Sequence, residues 1–123
     1  MFACLLSAPL ALHAQTWRST ATNMGTGRWF HTATLLPTGQ VLVVGGTSPT
    51  ILASAELFSP ATGVWAGTDA LTTARRGHTA TLLQTGNVLV VGGTGTGGVL
   101  PSAELYDPAT GTWANTGSLN VAR

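Results

Sequence analysis

Histidine and glutamate are the side chains in this sequence best suited to acid–base or metal chemistry, and both recur at a fixed spacing. His31 returns as His78, and Glu56 returns as Glu104. A catalytic group is needed once per site, whereas a scaffold group recurs in every unit, so we interpret the histidines as hydrogen-bonded structural groups. The two histidines could share a metal only by pointing into one channel, and no third ligand is in view.

Other patterns that carry chemistry are excluded. Cys4 is the only cysteine, which rules out a disulfide within the chain and a cysteine-based zinc site. The glycine-rich segment 94–98 superficially suggests a phosphate loop, but no helix is predicted after it and the chain has no lysine. We interpret that segment as a flexible loop and predict no cofactor, no metal and no catalytic residue.

The composition narrows the possible partners. Only 7% of the residues are charged, 44% are hydrophobic, and the formal net charge is +1. This charge creates no basic field for nucleic acid or for an anionic membrane, so we predict no nucleic-acid partner. The high hydrophobic content argues against disorder, and the length of 123 residues allows one domain at most.

An internal repeat organises most of the chain. Residues 28–74 align with residues 75–122 with one gap, and 30 of 47 aligned positions are identical by direct comparison of the two segments. The best-matched segments are 31–36 with 78–83, 41–47 with 88–94, 54–57 with 102–105, and 60–63 with 108–111.

Each repeat is predicted to form four short strands. In the first repeat these are His31–Leu36, Gln40–Val44, Ser54–Phe58 and a strand around Trp65. The second strand is an unbroken apolar run, which indicates a strand covered on both faces. Gly and Pro recur too often for helices, so the fold class is all-β. Four strands per unit with a doubly covered centre describe a blade of a β-propeller.

The repeated residues resemble kelch repeats. The features that carry the resemblance are a diglycine after the second strand, an aromatic on the third, a tryptophan on the fourth and an arginine before the next first strand: Gly45, Gly46, Gly92 and Gly93; Phe58 and Tyr106; Trp65 and Trp113; Arg28, Arg75 and Arg123. The resemblance covers residues 16–123 and implies propeller blades. It leaves function open, because this fold serves many roles.

These repeated residues are interpreted as structural. The glycines allow adjacent backbones to approach closely. We expect each Glu to pair with an Arg or with backbone N–H groups near a seam between blades, since burying one charge alone is costly. A ring of ligand-binding charges is the alternative. The tryptophans are interpreted as packing residues of an outer strand rather than as a sugar platform.

The positions at which the repeats differ are the candidates for ligand binding. Trp29–Phe30 aligns with Arg76–Gly77, and residues 48–51 align with 95–99, which contain the inserted residue. Both segments connect strands at the same end of a meander, and loops gathered on one face tend to carry function. The candidate residues are Trp29, Phe30, Arg76, Ser48, Thr50 and Thr96. The alternative is that Trp29–Phe30 simply caps the first blade.

The amino-terminal segments have separate interpretations. Residues 1–14 are predicted to be a signal peptide, with an apolar stretch far shorter than the roughly 20 residues needed to span a bilayer. Residues 15–27 are predicted to be a lone fourth strand of the ring-closing type. Blades 28–74 and 75–123 follow. The predicted location is therefore secreted, periplasmic or extracellular, with no integral membrane segment.

Two blades cannot close a ring, since propellers have typically four to eight. We expect the chain to be the amino-terminal fragment of a longer protein. Association of several copies through exposed blade faces is the alternative.

The predicted function is a non-catalytic scaffold that binds a protein or a glycan through its loops. The alternative is a fragment of a galactose-oxidase-like enzyme. That resemblance would imply copper held by His and Tyr with a Tyr–Cys crosslink. Tyr106 is the only tyrosine and no cysteine follows Cys4, so such a set would have to lie in further blades.

Overall fold

The computed structural model describes residues 18–123 as two four-stranded antiparallel sheets and one small hairpin. The first sheet, blade 1, contains β1 (Thr32–Leu35), β2 (Val41–Val44), β3 (Ala55–Ser59) and β4 (Val64–Thr68). The second, blade 2, contains β5 (Thr79–Leu82), β6 (Val88–Val91), β9 (Ala103–Asp107) and β10 (Thr112–Thr116), and the hairpin is β7 (Thr94–Gly95) with β8 (Gly98–Val99). The all-β prediction is confirmed, and the strand ends that the sequence predicted in blade 1 lie within one residue of those observed.

Each blade is a meander in which neighbouring strands of the sheet follow one another in the chain, apart from the inserted hairpin. The β1–β2 turn closes at Gly39, whose φ is 85°, and the equivalent Gly86 has a φ of 92°. These are left-handed values that glycine adopts without steric cost. The end of each blade at which β2 or β6 finishes is called the upper end below, and the end with these turns the lower end.

The apolar core lies between the two blades. Leu42 and Val44 of β2 pack in one cluster with Val88 and Val90 of β6 and with Tyr106 of β9. The repeat aligns Leu42 with Leu89 and Val44 with Val91, so the packed residues of blade 2 lie on the opposite face of their strand. The blades therefore stack face to back, as propeller blades do, and β1 lies beside β5 at the inner edge.

The outward face of blade 1 is covered by the segment that precedes it. Val43 points to this face yet is only 3% exposed. Its register partner is Glu56, which lies on the same face. Glu56 accepts hydrogen bonds from the main-chain N–H groups of Gly25 and Thr26. Val43 is therefore buried on the face that residues 25–28 occupy through their contacts with Glu56.

This covering segment repeats, on blade 1, the contacts that residues 68–75 make on blade 2. Ala21 N–H donates to the carbonyl of Gly63 at 2.7 Å. At the corresponding point 47 residues later, the Thr68 hydroxyl donates to the carbonyl of Gly111 at 3.2 Å. The segment thus lies where the exit from a fourth strand lies. No strand is formed between residues 18 and 31, and the predicted fourth strand at 15–27, which needs a further blade as its partner, stays a prediction.

The glycine-rich segment is more ordered than the sequence indicated. Residues 94–98, interpreted from the sequence as a flexible loop, contain a short hairpin in which Thr94 pairs with Val99 and Gly95 with Gly98. Gly95 lies against Leu100, where an added Cβ would be 3.1 Å from that side chain. The hairpin therefore continues directly from the diglycine that ends β6.

Two predictions concern the amino terminus and the membrane. The predicted signal peptide at residues 1–14 lies outside the described residues. Within residues 18–123, no helix has the length and hydropathy to cross a membrane.

Candidate functional site

The repeated charges form one ion pair in each blade. Arg28 Nη2 lies 2.6 Å from Glu56 Oε2, and Arg75 Nη2 lies 2.9 Å from Glu104 Oε1. Each glutamate also accepts hydrogen bonds from two successive main-chain N–H groups, which in blade 2 are those of Thr72 and Thr73. This is the pairing expected from the sequence, with both kinds of partner present.

Each arginine side chain also crosses its own blade. Arg75 Nη1 donates to the carbonyls of Gly92 and Ser102, both at 2.9 Å. The side chains of Arg75 and Glu104 are both 0% exposed. A group with no exposed surface cannot contact a ligand, so this pair acts in packing.

The third repeated arginine makes only half of this arrangement. The carbonyl of Arg123 accepts a hydrogen bond from Gly93 N–H at 2.9 Å, as the carbonyl of Arg75 does from Gly46 N–H. Arg123 itself is exposed. Its guanidinium has no ion-pair partner among residues 18–123.

The four repeated glycines let these main chains come together. A Cβ on Gly45 would lie 2.5 Å from the Arg75 carbonyl oxygen, and one on Gly46 would lie 2.6 Å from the Trp29 carbonyl oxygen. Gly92 faces the carbonyl of Arg123 in the same way, and Gly93 that of Arg76. The close backbone approach predicted for the diglycines is what the structure contains.

The two histidines lie in different environments. His78 is buried, and its Nε2 lies 2.8 Å from the Thr32 hydroxyl of blade 1. Burial, with the positive charge of Arg75 and the neighbouring His31 adding to it, lowers the pKa of His78 to about 4. His31 is exposed. The His78 imidazole is therefore neutral at pH 7 and bonded across the seam, and its interpretation as a structural group stays a prediction.

The repeated aromatics pack in pairs between the third and fourth strands of each blade. The ring centroids of Phe58 and Trp65 are 5.0 Å apart, and those of Tyr106 and Trp113 are 4.9 Å apart. The Trp113 Nε1–H donates to the carbonyl of Asp69 in the neighbouring blade at 2.9 Å. These side chains are committed to packing and do not form an exposed platform.

The non-repeated residues meet at the upper end, near the inner edge of the seam. The main chain of Trp29 is paired with Thr47, and that of Arg76 with Thr94. These bridges place the connection that enters each blade beside the connection that leaves its second strand. The shared face expected from the alternating strand directions is therefore present.

Phe30 and Arg76 form the walls of a shallow cleft at this end. The cavity has a volume of about 320 Å³ and is lined by Phe30, Arg76, Gly77 and Thr94; it is called the Phe30–Arg76 cleft below. The Arg76 Cζ atom is 6.0 Å from the centroid of the Phe30 ring. Trp29, the residue that precedes Phe30 in the chain, is 53% exposed. The cleft joins an aromatic surface from the entry to blade 1 to a cation from the entry to blade 2.

The backbone of Phe30 is in a conformation that its side chain disfavours. Its φ is 57°, and it is the only residue other than glycine with a positive φ in the range 18–123. The aligned residue in blade 2 is Gly77, with a φ of 61°. An L-residue pays about 1–2 kcal/mol for this conformation. The Phe30 ring is 62% exposed, so burial of that ring does not offset the strain.

The other three candidate residues lie apart from the cleft. Ser48 and Thr50 belong to a tight turn in which Ser48 N–H donates to the carbonyl of Thr50 at 2.9 Å. Thr96 is exposed at the tip of the β7–β8 hairpin. None of the three lines the cleft. Gly77 and Thr94 do, and the sequence signal for Gly77 was its alignment with Phe30.

A second cavity at the lower end was not predicted. It has a volume of about 230 Å³ and is lined by the turns of both blades: Pro37, Thr38, Thr85, Gly86, Asn87, Asp107, Pro108 and Ala109. The one carboxylate that lines this cavity is that of Asp107. One of its oxygens, Oδ1, already accepts a hydrogen bond from the N–H of Ala109 at 2.9 Å. The replacement of Ser59 by Asp107 in the second repeat was the available signal.

The described residues do not fit a copper centre. The Tyr106 hydroxyl is in the core, 2.9 Å from the Thr68 hydroxyl, and His78 is bonded to Thr32. Within residues 18–123, no three His, Cys, Asp or Glu side chains lie close enough to hold a metal ion. The donors that the galactose-oxidase resemblance implies are not gathered in these two blades.

Comparison with known proteins agrees with the architecture. Residues 75–120 match the model of the kelch motif. No curated protein matches the sequence. Among solved structures, a fungal alcohol oxidase of the AA5 family, determined in complex with copper, superposes with a TM-score of 0.71 at 21% identity. The match covers 80% of this chain and 24% of that enzyme, so the chain spans about a quarter of its length. The likeness shows the fold alone: the two sheets are β-propeller blades, and residues 75–120 are of the kelch type.

Proposed function

We propose that these two kelch-type blades form a non-catalytic binding module that recognises a protein or a glycan through the Phe30–Arg76 cleft. One observation carries the proposal. Phe30 holds a left-handed backbone conformation and still exposes 62% of its surface. Residues kept in such conformations cluster at binding and active sites, where the surrounding structure imposes the strain.

The alternative, that Trp29–Phe30 only caps blade 1, fits the geometry less well. A cap stabilises by burying apolar surface, and both of these side chains are more than half exposed. Gly77 shows that the same turn forms in blade 2 without a side chain. The ring of Phe30 is therefore not needed to make the turn, which favours a role in contacting a ligand.

The proposal includes a location outside the cytoplasm, either periplasmic or extracellular. It is supported by the short apolar stretch in residues 2–12 and the small Ala14 before the polar Gln15, a pattern typical of secretory signals. The low charge content of the blades is consistent with a scaffold that does not depend on long-range electrostatic recruitment.

The test is a binding screen on an array that carries neutral glycans, acidic glycans and purified extracellular proteins. The full chain is compared with Phe30→Gly and with Thr85→Ala, a matched control in the turns at the lower end. We expect at least one ligand class to bind both to the full chain and to the Thr85→Ala control, and not to bind to Phe30→Gly. Equal retention by all three proteins, or no retention at all, would contradict it.

A second candidate is favoured by the likeness to the copper alcohol oxidase. In this case the two blades are the scaffold of a longer enzyme whose metal donors lie in other blades. The assay is hydrogen peroxide release from a primary alcohol by copper-loaded protein that carries further blades. Absence of peroxide release would contradict this second candidate.

A further inference from the structure

We infer that the Phe30–Arg76 cleft recognises an acidic saccharide, a chain of sugar rings that bear carboxylates. The inference rests on the proposed function and names the ligand class for that same surface. Three features of the cleft lead to it: an unneutralised guanidinium, an aromatic wall beside open space, and main-chain groups that are already paired.

The charge of Arg76 is not balanced by the protein. Glu56 and Glu104 are held in the buried pairs with Arg28 and Arg75. Asp107 lies among the turns at the lower end, and Asp69, the remaining acidic residue, is exposed and makes no ion pair within residues 18–123. No ion pair within residues 18–123 includes Arg76, which is exposed. A planar guanidinium matches a carboxylate with two parallel hydrogen bonds, so an anionic ligand complements this end of the seam.

The aromatic wall suits a flat ring. The Phe30 ring forms one side of the cleft, and Gly77 leaves open the space that an equivalent side chain would fill, since a Cβ there would meet no atom within 4 Å. Trp29 adds a second exposed aromatic surface one residue away. A cavity of about 320 Å³ is at the small end of the range for ligand sites. It can take a sugar ring, with the next ring of the chain over Trp29.

An extended peptide fits the cleft less well, because the main chain offers it no partners. Arg76 N–H donates to the Thr94 carbonyl at 3.0 Å, and Thr94 N–H donates to the Arg76 carbonyl at 2.9 Å. Gly77 N–H donates to the Phe30 carbonyl at 3.0 Å. Recognition of a peptide by strand addition needs free main-chain groups at an edge. With these groups paired, recognition depends on side chains, which favours a saccharide.

The experiment uses the full chain and a matched pair of ligands, a trimer of galacturonic acid and its methyl ester, with a neutral galactose trimer as a third probe. Affinity is measured by isothermal titration calorimetry. We expect the acid to bind at least about tenfold more tightly than the ester, since the ester cannot form charge-assisted hydrogen bonds with Arg76. Arg76→Gln is expected to remove this difference, and Phe30→Gly to weaken both ligands.

The outcomes separate the inference from the proposed function. Equal affinity for acid and ester, or an acid preference that survives Arg76→Gln, overturns the acidic-saccharide inference and leaves a binding module. If the chain binds only a protein on the array, and Phe30→Gly does not bind it, the acidic-saccharide inference is likewise overturned and the binding module remains. If no probe and no array ligand binds, both the inference and the proposed function fail.

Discussion

Arg75 and Glu104 are joined through an Nη2–Oε1 distance of 2.9 Å at a place where neither side chain meets solvent. The main chain of Arg75 is bonded to blade 1, because its carbonyl accepts the N–H of Gly46 and its N–H donates to the carbonyl of Leu52. One residue thus fixes blade 1 by its backbone and blade 2 by its side chain.

Removing one partner of this pair is predicted to destabilise the chain strongly. Arg75→Met leaves Glu104 buried without its cation, and Glu104→Gln leaves Arg75 without its anion, so each is expected to lower the free energy of unfolding by about 3–5 kcal/mol. Urea unfolding measures the loss. Arg28→Met is the matched control with a smaller expected effect, since the Glu56 side chain is 11% exposed. A variant that lost ligand binding and kept its stability would instead indicate a ligand-binding charge.

The diglycine is predicted to tolerate no side chain. Two causes contribute, the left-handed backbone conformation and the close approach of another main chain, and they can be measured separately. Gly45→Ala adds a Cβ that meets the Arg75 carbonyl at 2.5 Å, whereas Gly39→Ala, at a φ of 85°, meets nothing within 4 Å. The Gly39 variant is expected to cost about 1–2 kcal/mol for the left-handed residue alone. The Gly45 variant is expected to cost clearly more. Equal midpoints in thermal unfolding would show that the close approach at the seam has no energetic weight.

The strain at Phe30 predicts opposite effects at equivalent positions. Phe30→Gly is expected to leave the free energy of unfolding unchanged or to raise it by about 1 kcal/mol, because relief of the backbone strain exceeds the loss of a weak ring–guanidinium contact. Gly77→Ala, at a φ of 61° in open space, is expected to lower it by about 1 kcal/mol. Denaturant titrations of both variants provide the check. A large loss of stability in Phe30→Gly would mean that the ring is a packing residue.

Stability is predicted to fall as the pH falls from 6.5 towards 4. The pKa of His78 is lowered to about 4 in the folded chain, so over this range the unfolded chain binds a proton that the folded chain does not. The contribution is complete above pH 6.5, and its loss amounts to roughly 3 kcal/mol by pH 4. Urea unfolding at several pH values measures the slope. His78→Gln is expected to flatten it, while His31→Gln, which removes only the smallest of the three causes of the shift, is expected to leave most of the slope in place.

The strands, their order and the ion pairs could be predicted because they repeat. The apolar run at Val41–Val44 and the paired spacing of Glu56 and Glu104 each occur twice, so the sequence contains its own internal comparison. The hairpin at Thr94–Val99 could not be predicted in this way. The first repeat has only a single bridge there, between Thr47 and Ile51, and the glycine content of the second is equally compatible with an irregular loop.

The site was predictable only in part, because its geometry depends on residues that differ between the repeats. Trp29, Phe30 and Arg76 were identified as departures from the repeat. The distances between their side chains could not be predicted from the sequence. The ring of Phe30 and the guanidinium of Arg76 come together because the Phe30 carbonyl accepts the N–H of Gly77, a contact between blades. The positive φ of Phe30 could be suspected only from the glycine aligned with it.

The contacts of residues 21–28 on blade 1 have a consequence for how such chains can change in length. Gly25 and Thr26 hold Glu56 as Thr72 and Thr73 hold Glu104, and Arg28 enters its blade as Arg75 enters the next. A deletion or duplication that runs from one arginine to the next would therefore join ends that already match. Genetic recombination between these codons could add or remove whole blades while keeping the same contacts at the junction. An insertion or deletion of any other length would separate a glutamate from the arginine and main-chain N–H groups that it binds.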